Sequence, residues 1–149
     1  MVMALGSLGK EPPACFVLQR IPMQAPHLEL GRDAEDAALD YFLACTPRAR
    51  LLERNRRFRC GELDLIFEVG EVGAGSSAEL VFVEVRARSG GGMAKGFETI
   101  GPAKRARLRR AIGVFLSRYP SRSRRTQTMR VDILSWDSGK WTHLKNVWL

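Results

Sequence analysis

Two acidic residues stand inside hydrophobic segments, where a charge without compensation is costly. Asp64 belongs to the run Glu62–Phe67, and Glu84 belongs to Leu80–Arg86. An unpaired carboxylate in an apolar setting costs several kcal/mol, so each acid requires a partner. Carboxylates that converge from neighbouring strands are typical ligands of a cation such as Mg²⁺, which takes one or two of them together with water and phosphate oxygens. The pattern predicts a site for Mg²⁺ or Mn²⁺.

Glu35 is a third candidate acid. It lies at the edge of the apolar stripe of a predicted helix, so that it can face the sheet. A purely structural interpretation of the three acids stays open. In that interpretation Asp64 pairs with a nearby arginine, and Glu84 pairs with Arg86 or Arg130. Glu35 is then only a surface residue in the first turn of its helix.

Hydrophobic periodicity predicts the elements that carry these acids. Apolar residues recur at helical spacing in two segments, and short β-branched and aromatic runs bounded by Gly or Pro indicate strands. Asp33 is the expected N-cap of the first helix. A basic turn is expected at 55–60. The predicted order is a helix at 34–45, strands at 50–54, 62–68 and 80–86, a helix that opens at Pro102, and strands at 129–136 and 140–148.

This order predicts the type of sheet. The Gly- and Ser-rich stretch 70–77 favours a hairpin, whereas the strand at 80–86 reaches the one at 129–136 through a helix, the crossover that joins parallel neighbours. We therefore expect an α/β fold with a central mixed sheet of about five strands flanked by helices. The length of 149 residues and 45% hydrophobic content suit one domain, which we assign to 29–149. Residues 1–28, rich in proline, are predicted to form a poorly ordered extension.

The positive charge of the chain is regional. Lysine and arginine number 24 against 16 acidic residues, a net charge of +8, and ten of these cations, with no acid, lie between Gly101 and Arg130. A charge block of one sign favours a phosphate backbone, and therefore a nucleic acid, as partner. A solvated helix face and an anionic membrane are the alternatives, in that order.

No segment indicates targeting to a membrane or to an oxidising compartment. No apolar run approaches the roughly 18 residues of a membrane span, and charge and proline interrupt the N-terminal apolar residues. The three cysteines lack the close spacing of zinc or redox motifs. We expect a soluble, cytoplasmic protein without a disulfide framework and without a membrane partner.

Several motifs together resemble the YraN-like family of bacterial proteins. They are, in chain order, Gly31-x-x-x-Glu35, Arg54-Asn55, Gly61-Glu62-Leu63-Asp64-Leu65-Ile66, Phe82-Val83-Glu84-Val85-Arg86-x-Arg88, Lys104, Val131-Asp132 and Thr142-His143-Leu144-x-Asn146. The resemblance covers roughly residues 30–149. It implies a fold similar to that of restriction endonucleases and archaeal Holliday-junction resolvases, and it supplies a fold and a site more firmly than a substrate.

The resemblance also implies roles for the acids. Asp64 matches the metal-binding aspartate of the nuclease motif, Glu84 matches its second acid, and Glu35 matches the helix glutamate of such enzymes. In that arrangement Asp64, Glu84 and the carbonyl of Val85 hold the metal ion. The ion positions a water for in-line attack on a phosphate, and Glu35 supports it through a bound water.

The chain departs from the motif at one position. Arg86 stands where YraN-like proteins usually have lysine. A desolvated lysine can deprotonate the attacking water, whereas arginine stays protonated and can only donate hydrogen bonds, for example to the scissile phosphate. The lysine role is expected to pass to Lys104, on the inward side of the second helix, or less readily to Lys95 in the Gly-rich loop.

Two functions follow, with a third ranked last. The first is a metal-dependent nuclease that hydrolyses structured DNA, either branched or single-stranded. The second is a catalytically impaired nucleic-acid-binding protein on the same scaffold, which the arginine at position 86 favours. A purely structural adaptor leaves Asp64 and Glu84 without a rationale. Resolvase-like relatives pair symmetrically, so a homodimer is a further possibility. The expected nucleic-acid contacts are Arg54, Arg56, Arg57, Arg59, Arg88, Lys95, Arg105, Arg109, Arg122, Arg124 and Arg125.

The histidines and tryptophans receive structural interpretations. His27 and His143 have no evident partners for a catalytic unit, so both are expected to be structural or incidental. Trp136, Trp141 and Trp148 are expected to pack the last two strands rather than stack on bases.

Overall fold

A computed structural model describes residues 32–70, 78–88, 100–119, 126–137 and 139–147. The predicted order of elements is confirmed. The elements are α1 (Arg32–Cys45), β1 (Ala49–Phe58), β2 (Gly61–Gly70), β3 (Ala78–Arg88), α2 (Pro102–Arg118), β4 (Thr126–Asp137) and β5 (Lys140–Leu144).

The five strands form one mixed sheet in the order β1-β2-β3-β4-β5. Neighbours are antiparallel except β3 and β4, which are parallel and in register from Glu79↔Thr128 to Arg88↔Asp137. Because α2 lies between these two strands in the sequence, it serves as the crossover. The predicted mixed sheet, typical of a nuclease-like α/β fold, is confirmed.

The two helices cover opposite faces of the sheet. On one face, α1 buries Phe42, which stacks on Phe67 of β2 with ring centroids 4.2 Å apart. On the other, α2 buries Phe115, whose ring meets the edge-on ring of Phe82 of β3 at 5.6 Å. The central strand is therefore covered on both sides, which explains its continuous apolar sequence.

Three element boundaries differ from the predictions. The ladder between β1 and β2 continues through Asn55, whose φ of 51° an asparagine tolerates, so the expected basic turn shrinks to two residues. The last strand ends at Leu144 because Asn146 adopts a φ of 52° and turns the chain. Helix α1 begins before Asp33, which therefore is not its N-cap.

Some predictions fall on residues outside the described ranges. These are the extension at 1–28, His27, Lys95, Arg122, Arg124, Arg125 and Trp148. Of the remaining tryptophans, Trp136 and Trp141 pack together with ring centroids 5.1 Å apart, as predicted. Cys45 and Cys60 are free thiols. No helix within the described ranges is long and apolar enough to cross a bilayer.

Candidate functional site

The sheet opens between β2 and β3 near the predicted acids. The ladder that joins these strands runs from Gly70↔Ala78 to Leu65↔Val83, whereas β2 stays paired with β1 as far as Gly61. Beyond Val83, strand β3 continues with β4 alone. The gap between the two diverging strands is the candidate site.

Asp64 lies at the start of this gap. Its Oδ2 accepts a hydrogen bond of 2.9 Å from the backbone N–H of Val85. At this point a side chain of β2, rather than its backbone, is hydrogen-bonded to β3. Leu63 and Ile66 pack on the α2 side of the sheet, whereas Leu65 packs on the α1 side. The alternation of side chains is thus interrupted beside Asp64, which lets its carboxylate turn toward β3.

Glu84 lies across the gap and is almost fully buried, with 3% of its surface exposed. Its Oε1 is 2.8 Å from Nζ of Lys104 and 3.3 Å from Nε of Arg86. The second contact meets the distance of an ion pair but not the geometry of a hydrogen bond, and Oε2 of Glu84 has no hydrogen-bond partner in the described part of the chain. A buried carboxylate oxygen without a donor is a rare and costly feature.

The first turns of α2 cover the gap. Lys104 lies one turn before the buried Leu108, on the same stripe of the helix, and it reaches Glu84 on β3. The helix also approaches β2 closely, because a Cβ on Gly61 would lie 3.2 Å from the carbonyl oxygen of Arg107. One helix therefore contacts both strands that diverge.

The four predicted groups interact electrostatically at Asp64. Burial is the largest cause that raises the pKa of Asp64 to about 7, and the charge of Glu84 adds to it. The hydrogen bond from Val85 and the charge of Lys104 oppose this rise, whereas the charge of Glu35 on α1 contributes to it. Lys104 and Glu84 are in direct contact, whereas Glu35 acts on Asp64 from α1 only as the smallest of these electrostatic contributions.

The donor set suits a hard cation with open coordination positions. Within the described ranges there is no group of three or more His, Cys, Asp or Glu side chains arranged to hold a metal ion. Two carboxylates, one of them with an oxygen that has no partner among the described residues, match the usual protein share of a Mg²⁺ site, in which water and phosphate fill the other positions. A cation would also relieve the repulsion between Asp64 and Glu84. The residues present fit Mg²⁺ or Mn²⁺.

Comparison with known proteins identifies the family. The model of the uncharacterised protein family UPF0102 matches residues 34–135. The chain belongs to the UPF0102 family. A UPF0102 protein of Alkalilimnicola ehrlichii is 40% identical over 113 residues, which cover 76% of this chain and 81% of the relative. One from Bordetella avium is 43% identical over 115 residues, with 77% and 71% covered. The YraN-like assignment made from the motifs is confirmed.

The predicted nucleic-acid contacts of this UPF0102 protein that fall on described residues lie in three places. Arg54, Arg56 and Arg57 lie on β1, with Arg59 in the turn that follows, and all four are exposed. Arg105 and Arg109 lie on α2, where Arg105 donates through Nε to the carbonyl of Ile100 at 2.8 Å. Arg88 ends β3, on the far side of the gap from β2.

A second buried acid escaped the sequence interpretation. Asp132 of β4 is fully buried and accepts hydrogen bonds from His143, from Arg130 and from the backbone N–H of Asn146. Arg130 also pairs with Glu79. Burial opposes ionisation of Asp132, but these hydrogen bonds and the charge of Arg130 prevail and lower its pKa.

Asp132 has a structural role. Its partners fasten the residues that follow β5 to β4, and the N–H of Val147 adds a bond to the carbonyl of Val131. The expectation that His143 is structural agrees with this contact. The signal that could have found Asp132 was the one used for Asp64, namely an acid in an apolar strand.

Proposed function

We propose that this UPF0102 protein is a metal-dependent nuclease that hydrolyses phosphodiester bonds in structured DNA, branched or single-stranded. The observation that carries the proposal is the meeting of Asp64 and Glu84 at the opening of the sheet, with the ammonium of Lys104 on Glu84. Acids that only stabilise the fold have closed sets of partners, as Asp132 has. Glu84 retains a buried oxygen that no donor in the described ranges reaches.

Asp64, Glu84 and the carbonyl of Val85 are the residues that would hold Mg²⁺ or Mn²⁺. When bound, such an ion supplies an activated water and a counter-charge for the phosphate. The local charge favours this binding, because burial and the charge of Glu84 raise the pKa of Asp64, and a cation would stabilise its ionised form. Glu35 contributes further negative potential from α1.

Lys104 supplies the lysine that the motif lacks at position 86. It comes from α2 rather than β3, and its Nζ is held 2.8 Å from Glu84. From there it can hold or move a proton beside the attacked phosphate. Arg86 keeps its proton and can orient the phosphate through its guanidinium. The positively charged surface nearby would neutralise flanking phosphates.

The test is cleavage of labelled branched, single-stranded and duplex DNA in Mg²⁺ or Mn²⁺. Asp64→Asn is expected to abolish cleavage. Lys104→Gln is expected to slow it at least 100-fold, a typical contribution of a positioned proton-transfer group. Lys140→Gln removes the same charge from the exposed side of β5 and is the matched control, expected to cleave like the parent. Melting curves establish that each variant is folded.

A catalytically impaired nucleic-acid-binding protein is the second candidate, favoured by Arg86 beside Glu84. Arg86→Lys restores the motif lysine and separates the two functions. If neither the parent nor Arg86→Lys cleaves any substrate while salt-dependent DNA binding persists, the protein is a binder. Cleavage by the parent that Lys104→Gln reduces would support the nuclease.

A further inference from the structure

The exposed arginines of β1 are paired with acids. Each of four has a carboxylate oxygen within ion-pair distance, and the partners belong to β1, β2 or α1. The pairs are Arg50–Glu68 at 2.5 Å, Arg54–Asp36 at 2.5 Å, Arg57–Glu62 at 3.0 Å and Arg56–Glu53 at 3.3 Å. Arg56 also lies over the ring of Phe58. A phosphate that approaches this strand meets a surface whose charge is largely neutralised.

The exposed arginines of α2 are in the opposite situation. Arg107, Arg109, Arg110 and Arg118 are exposed, and no carboxylate in the described ranges lies within ion-pair distance of them. The helix itself contains no acidic residue. At about 100° per residue, the four side chains spread over about half of the helix circumference, and we call them together the α2 arginine face.

The placement of these charges opposes the stability of the helix. Arg107 and Arg110 are three residues apart, so like charges repel across one turn. Arg118 lies in the last turn, where the helix dipole favours positive charge, but the other three cations lie too far inside the helix for the dipole to offset their repulsion. A local arrangement that costs stability without compensation is expected where function requires it.

The α2 arginine face lies beside the candidate site. The turn that contains Lys104 contacts Glu84, and the next turn approaches Gly61, so the first arginines of the face follow directly on the opening of the sheet. At a rise of about 1.5 Å per residue, the helix carries the charge from Arg107 to Arg118 over about 16 Å. That length can contact several phosphates of one strand.

We infer that the α2 arginine face is the surface that binds the nucleic-acid backbone, and that the arginines of β1 stabilise the sheet instead. The inference rests on the proposed function for its partner, and it names the surface on which that partner lies. It divides the predicted contacts, because Arg109 belongs to the binding surface and Arg54, Arg56 and Arg57 do not. Binding through unpaired arginines is blind to sequence and sensitive to salt.

The experiment compares two variants of equal charge change in the full chain. Arg109→Gln with Arg110→Gln alters α2, and Arg56→Gln with Arg57→Gln alters β1. Binding to a fluorescent 30-base-pair duplex and to a branched DNA is measured by anisotropy over a range of KCl, with Ca²⁺ in place of Mg²⁺ so that cleavage is avoided. Glutamine keeps a long side chain and helix propensity.

The α2 variant is expected to bind at least tenfold more weakly near 0.1 M salt. Its slope of log K against log salt is expected to shrink by up to about 2, since each lost phosphate contact removes about 0.9. Its melting temperature should equal or exceed that of the parent, because like charges are removed. The β1 variant is expected to keep the parent slope, although it frees two acids that would themselves repel DNA.

Equal losses in both variants, or a larger loss in the β1 variant, would overturn the inference and leave the proposed function standing. A lower melting temperature in the α2 variant with unchanged binding would also overturn it, since the arginines would then be structural. If the parent binds neither these two DNAs nor a labelled single strand, the nucleic-acid partner is lost, and the proposed function falls together with the inference.

Discussion

Replacement of Asp64 by asparagine is expected to stabilise the protein at alkaline pH. The side chain keeps its shape, and its carbonyl oxygen can still accept the hydrogen bond from Val85. What it loses is a charge in a place that disfavours charge, because burial raises the pKa of Asp64 to about 7 from the ordinary 3.8. Between these values the native state binds the proton that the unfolded state releases. The stability of the parent therefore falls as pH rises through this range.

The size of the effect follows from the same interval. At about 1.36 kcal/mol per pH unit, the interval from 3.8 to about 7 corresponds to roughly 4 kcal/mol at pH 8, as an upper value. At pH 5 the gain shrinks to roughly 1–2 kcal/mol, and it vanishes near pH 4. For a slope of about 2 kcal/mol per M urea, the midpoint of unfolding at pH 8 moves up by as much as about 2 M.

The assay is urea unfolding in EDTA at pH 8 and pH 5, followed by circular dichroism. Asp40→Asn, a change of the same chemistry at an exposed position of α1, is the matched control and should produce no such pH-dependent gain. Equal stability of Asp64→Asn and the parent at pH 8 would refute the raised pKa of Asp64. So would a gain in stability at pH 5 as large as the gain at pH 8. If Mn²⁺ raises the melting temperature of the parent but not that of Asp64→Asn, the metal binds through the carboxylate whose pKa is raised.

Two further changes test the structural acid and the core. His143→Ala leaves the fully buried Asp132 without one donor, and urea unfolding at pH 7 is expected to show that the free energy of unfolding falls by about 2–3 kcal/mol. Because the pKa of Asp132 is lowered, this difference in stability should fade as the pH falls below about 4. A difference under about 0.5 kcal/mol at pH 7 would contradict the structural role of the contact. Phe42→Ala removes a fully buried ring stacked on Phe67 and should cost about 3–5 kcal/mol, whereas Leu43→Ala at an exposed position of α1 should cost less than about 1.

The features that sequence could predict are those governed by local pattern. Alternation and helical spacing defined the elements, and the position of α2 between two apolar strands required β3 and β4 to be parallel. Asp64 and Glu84 were recognisable because an acid in an apolar strand needs compensation. Lys104 followed from its place one turn before Leu108 on the inward stripe.

The features that escaped prediction depend on register and on distant partners. The β2–β3 ladder ends where α2 packs over both strands, and no local signal in the sequence marks that point. The ion pairs of β1 join residues such as Arg54 and Asp36 that meet only after folding. A count of charges along the chain therefore does not distinguish the arginines of β1, which form ion pairs, from those of the α2 arginine face, which have no carboxylate within ion-pair distance in the described ranges.

The parallel pairing of β3 with β4 has a consequence for biosynthesis. About 40 residues separate the end of β3 from the start of β4, and a ribosome that adds roughly 5–20 residues per second needs several seconds to produce them. During that time the most apolar strand of the protein has a bare edge, ready to pair with another chain. We expect nascent chains stalled between the two strands to associate with chaperones or to aggregate, and release to follow once β4 emerges.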